Sequence, residues 1–147
     1  MEILSNISLI LNPTTFGLIL GSTIVGVLIG ALPGLSSGMA IALLLPFTIY
    51  LEPSQAIAAM AALYCGGTFG GSITAILINA PGAPPAAATA FDGFPMAQKG
   101  QAGKALGMAA VSSVVGGIIS LAVLIIFAPT LARIAYKFGP PEYFALA

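Results

Sequence analysis

The stretch "GALPGLSSGMAIALLLP", Gly30 to Pro46, interrupts the most apolar part of the chain, and its reading decides the fold. Upstream, Thr15 to Leu32 is an unbroken apolar run. As an α-helix it extends about 27 Å, just enough for a bilayer core of roughly 30 Å. Pro33-Gly34 ends that run, because proline lacks the N–H a helix needs and glycine loosens it. The next apolar piece, Met39 to Tyr50, covers only about 18 Å as an α-helix. It reads as a half-helix or as one arm of a re-entrant hairpin.

Outward from this stretch the chain stays apolar. It is 59% hydrophobic and 5% charged, whereas soluble domains are about 25% charged. No charge lies between Ile3 and Leu51, so the expected class is an all-α integral membrane protein within the lipid bilayer. Met1 to Thr14 lacks the basic region of a secretory signal, and the first span reads as retained. The net charge is zero, which gives no electrostatic support to a nucleic-acid partner. Cys65 is the only cysteine and there is no histidine, which excludes an internal disulfide framework, a Ser-His-Asp triad and the usual zinc and haem sites. No cofactor and no enzyme activity are expected.

Pro53 after Glu52 suits the first turn of a second spanning helix, running to about Ile78. The segment 79–95, "NAPGAPPAAATAFDGFP", is rich in proline and reads as re-entrant or as a loop. Asp92 within it reads either as a ligand for a cation or proton or, more in keeping with the polar loop beside it, as a turn-forming residue that caps a neighbouring N–H. "DGFPMAQKGQ" reads as a membrane-surface loop, 102–127 as a third span, and a further helix is expected from about Pro141. Lys99 and Lys104 lie on one side of the third span, and Arg133 and Lys137 on the other. Positive charge therefore leaves the orientation open.

Small residues recur every fourth position: Gly17 and Gly21; Gly26, Gly30 and Gly34; Gly66 and Gly70; Gly67 and Gly71; Ser112, Gly116 and Ser120. Such rows let membrane helices approach closely. They point to a packed multi-span bundle with 1–147 as a single transmembrane portion (spans 15–32, 53–78 and 102–127, half-helix 39–50).

Non-helical backbone at membrane depth survives only when buried in protein or lining a watery cavity. The helix breaks Pro33-Gly34 and Pro81-Gly82 are therefore either surface turns or parts of a site. As a site, the N–H groups opening the Met39 helix suit an anionic group. Carbonyls ending the Thr15 helix, together with the Ser36 and Ser37 hydroxyls, suit a sodium ion or a hydrogen-bonding ligand. The candidate substrate-binding residues are Gly34, Ser36, Ser37, Asn79, Gly82 and Thr89. A scaffold module, whose glycine rows only bind partner helices, and a small channel are the competing readings.

"GALPGLSSGMAIALLLPFT", "LYCGGTFGGSITAILINAPGAPPAAATAFDGFPMAQKGQAGKALG" and "FGPPEYFAL" resemble the N-terminal part of the large membrane subunit of the tripartite tricarboxylate transporters, from about Phe16 onward. The resemblance implies a multi-pass secondary transporter of the bacterial inner membrane, taking up tri- or dicarboxylates with sodium or protons as the coupling ion. It further implies a small membrane subunit and a periplasmic substrate-binding protein as partners. On this reading the chain is an N-terminal fragment holding most of one repeat of an inverted-repeat architecture.

Overall fold

A computed structural model describes residues 12–135 and 139. The described part is all-α, with five α-helices and one 3-10 helix: α1 (Pro13–Gly30), α2 (Ser37–Leu44), the 3-10 helix (Leu45–Tyr50), α3 (Pro53–Ile78), α4 (Ala86–Gln98) and α5 (Ala102–Ala135). Helices α1, α3 and α5 are long and apolar enough to cross a membrane. The helix expected from Pro141 lies outside the described residues. One compact unit ends at Ala110. The second, from Val111, contains the distal part of α5, whose described side chains are all exposed.

Asn12 starts α1, its side chain accepting from the Thr14 N–H at 3.3 Å. Helices α1 and α3 then lie against each other along their glycines. A Cβ at Gly26 would meet the Leu63 carbonyl oxygen, and one at Gly30 would meet that of Gly67. Reciprocally, a Cβ at Gly70 would meet the Val27 carbonyl oxygen. Near the other end, Gln55 Nε2 donates to the buried Thr15 Oγ1 at 3.3 Å. Partners advance together along both helices, so α1 and α3 run parallel.

Parallel neighbours require the chain between them to travel back, and the segment from Ser37 to Tyr50 does so. Ser37 sits against Gly67. At the other end, Leu44, Phe47 and Leu51 line a groove with Leu18, Ala59 and Met60. This return leg differs from the segment expected over 39–50 in two respects. The helix begins earlier, at Ser37, and tightens to a 3-10 helix from Leu45. A 3-10 helix rises about 2 Å per residue, so the whole stretch reaches about 24 Å. Pro46 opens the tighter helix, where it has no N–H to leave unpaired.

The second break differs from expectation too. Only 79–85 is non-helical, whereas 86–98 forms α4 with Pro95 inside it. The alanine run 86–88 favours a helix, and Pro84-Pro85 precede it where a missing N–H is harmless. The surface loop read over 92–101 is accordingly helical as far as Gln98. Asp92 is an exposed residue inside α4 and caps nothing.

Candidate functional site

Helix α3 stops at Asn79, the one non-glycine residue with positive φ among those described (φ 55°). The Asn79 and Ala80 N–H groups both donate to the Thr74 carbonyl. The chain then folds back, and the Gly82 N–H donates to the Gly71 carbonyl at 3.4 Å. Gly71 lies seven residues before the end of α3, so the chain dips back about 10 Å. From there α4 climbs again beside α3, with Gly93 against Ile76. Residues 79–85 and α4 thus form a re-entrant excursion whose lowest point is Gly82.

That lowest point meets the first break. A Cβ at Gly82 would strike the Gly30 carbonyl oxygen and lie 3.0 Å from Gly71 Cα. A Cβ at Gly67 would lie 2.8 Å from Ser37 Oγ, and one at Gly71 the same distance from the Ala83 nitrogen. Gly67 and Gly71 are one turn apart on one face of α3. The start of α2 and the start of the α4 excursion therefore sit one turn apart, at the C-terminal end of α1. Gly71 is about 27 Å from Pro53 along the helix, so the junction lies within the length of α3 and not at its mouth.

Helix α2 leaves the junction toward the start of α3, and α4 toward its end. Their positive dipole ends converge there, beside the negative end of α1. Among the described residues, the Ser37 and Gly38 N–H groups have no acceptor. Such an arrangement suits an anionic group at the two N-termini and a cation near the α1 carbonyls.

The six residues read from sequence as substrate-binding fall in different places. Ser37 and Gly82 are buried at the junction. The exposed Ser36 oxygen accepts from the Met39 N–H at 3.2 Å, the N-cap of α2. Gly34 turns the exposed link with φ +94°, a conformation glycine adopts without strain. Thr89 is half-buried one turn into α4. Asn79 is exposed at the end of α3, away from the junction. Of the break prolines, Pro33 and Pro81 are both exposed. Sequence reasoning did not name Gly30, Gly67 and Gly71 as site residues. The available signal was that Gly30 directly precedes the first break.

The left-handed backbone at Asn79 gives a discriminating expectation. Asn79→Gly should be neutral for folding, whereas Asn79→Ala should cost about 1 to 2 kcal/mol for a Cβ in that conformation. Thermal unfolding of both variants in detergent checks this. Equal melting temperatures would show that the conformation imposes nothing.

The chain is 44% identical over 150 residues to an Agrobacterium vitis protein described as an uncharacterized 52.8 kDa protein in the TAR-I ttuC' 3' region. That alignment takes in 99% of this chain and 30% of the relative, so the chain spans less than a third of the relative's length. No solved structure matches it. Residues 16–147 match the tripartite tricarboxylate transporter TctA family along their whole length. The chain belongs to that family.

Proposed function

We propose that this chain is part of the membrane-embedded subunit of a secondary transporter in the bacterial inner membrane that takes up tri- or dicarboxylates with sodium or protons. A periplasmic binding protein delivers the substrate and a small membrane subunit completes the system. The observation that carries the reading is the convergence of two helix N-termini on the Gly67/Gly71 face of α3. Family membership supplies the substrate class. No lysine or arginine lies between Asn79 and Phe91, and the Gly82, Ala86 and Ala87 N–H groups are already donated, so the carboxylate relies on the Ser37 and Gly38 N–H groups, hydroxyls and the positive end of α4. Each hydrogen bond to a charged group contributes about 1.5 to 3 kcal/mol. Sodium would sit near Ser36 and Ser37, toward the α1 carbonyls.

The test is uptake of labelled citrate into proteoliposomes holding the full-length protein and both partners, under an imposed sodium gradient and then a proton gradient. Uptake driven by one of them is expected. Uptake that ignores both gradients and never saturates would point to a channel.

Ser37 Oγ is buried with no hydrogen-bond partner among the described residues. An unsatisfied buried hydroxyl destabilises a fold by about 1 to 3 kcal/mol. Ser37→Ala should therefore raise the melting temperature of the full-length protein while weakening the dependence of uptake on the coupling ion. An unchanged melting temperature together with unchanged ion dependence would remove Ser37 from the site.

A further inference from the structure

The face of α3 that packs inward is built mainly of glycine, alanine and leucine and ends in Ile76, whereas Tyr64, Thr68 and Ser72 follow one another along its flank, beside Leu63, Gly67 and Gly71. These three stand one turn apart in a single row. Tyr64 is 50% exposed, and its phenolic oxygen has no partner among the described residues. It lies about 17 Å from Pro53 along a helix of about 39 Å, close to mid-depth. Tyrosines facing lipid sit at the membrane interfaces, where the hydroxyl reaches water. An unpaired hydroxyl in hydrocarbon is strongly disfavoured.

The row is polar only over part of the helix. Toward the Glu52 end the same face continues as Ala61 and Ile57, the latter 67% exposed. Toward the other end it reaches Ser72, the neighbour of Gly71 at the level of the junction, and closes there, because the next residue of the row, Ile76, is buried against Gly93 of α4. Thr68 Oγ1 donates to the Tyr64 carbonyl at 2.9 Å, and Ser72 Oγ to the Thr68 carbonyl at 3.5 Å. Both are half-buried, and among the described residues the Tyr64 O–H remains the free donor of the row.

We propose that the Tyr64–Thr68–Ser72 face of α3 lines a water-filled path to the junction, with Tyr64 as the donor that meets the hydrated carboxylate. The carboxylate in this statement rests on the transport reading above, whereas the water does not. Single cysteines at 64, 68 and 72, in a full-length protein with Cys65→Ser and no other cysteine, test it in membrane vesicles with a charged, membrane-impermeant thiosulfonate. The control is Ile24→Cys. Ile24 is 60% exposed on α1 and level with Tyr64, given the pairing of Thr15 with Gln55.

Only a thiol in water forms the reactive thiolate, so positions 64, 68 and 72 should react on the order of tenfold faster than position 24. Citrate should slow them and leave position 24 unchanged. Reaction at 64, 68 and 72 no faster than at 24 overturns the proposal, and so does a failure of citrate to protect in vesicles that transport it. Citrate uptake measured in the same vesicles reports separately on the transport reading. Vesicles that label in the expected pattern yet take up no carboxylate would sink that reading and uphold the water-lined face.

Discussion

Gly30→Val is expected to prevent the protein from folding. A Cβ at this position would enter the carbonyl, Cα and oxygen of Gly67 at once. Backbone cannot move aside as the end of a flexible side chain can, so α1 and α3 would have to separate along their whole seam. We expect a loss above about 4 kcal/mol, in the range reached only by disrupted cores and backbones. Gly17→Val and Gly21→Val are the controls, because nothing lies within 4 Å of a Cβ at either position in the described part. Yield and thermal unfolding of the full-length protein in detergent separate them. A Gly30→Val protein that melts with the wild type would refute the close α1–α3 packing.

Replacing Pro33 by Ala and Gly34 by Leu together should invert everything downstream. Pro33 and the positive φ of Gly34 end α1 and let the chain turn into α2. Without them one helix can continue through Ser37 into Leu44, about 48 Å long. The return leg made by α2 and the 3-10 helix then disappears, and α3 enters from the opposite side. A compartment-sensitive reporter fused after Lys99 should change sides, and uptake should fall to background. A reporter that stays in place with uptake intact would show that the turn forms without its two breakers.

Much of this was legible from residue types. Pro13, Pro53 and the apolar runs after them mark the starts of α1 and α3, because proline at the first helical position leaves no donor unpaired. Pro33-Gly34 and Pro81-Gly82 mark both breaks. The reach of the short return leg was hidden because it depends on a local change to 3-10 geometry, which no periodicity announces. Helix α4 was hidden because proline counts weigh against a helix, although Pro84 and Pro85 only precede it and Pro95 sits one turn from its end. The junction itself was legible only in part. Gly30, Gly67, Gly71 and Gly82 come together through three separate segments, and a spacing rule sees one helix at a time. Asn79 was read as a ligand because it is an amide beside a break; that its left-handed backbone also ends α3 was not legible from its residue type.

The parallel pairing of α1 with α3 sets a schedule for biosynthesis. Thr15 and its partner Gln55 are 40 residues apart, and chains are made at about 5 to 20 residues per second. The glycine face of α1 is therefore in the membrane for about 2 to 8 s before the surface that covers it has been translated. During that interval the half-made segment is open to capture by another α1 from a neighbouring ribosome, or by any helix with small residues at the same spacing. Slowing translation beyond Gly30 would lengthen the exposure, and speeding it would shorten the time in which the wrong helices can meet.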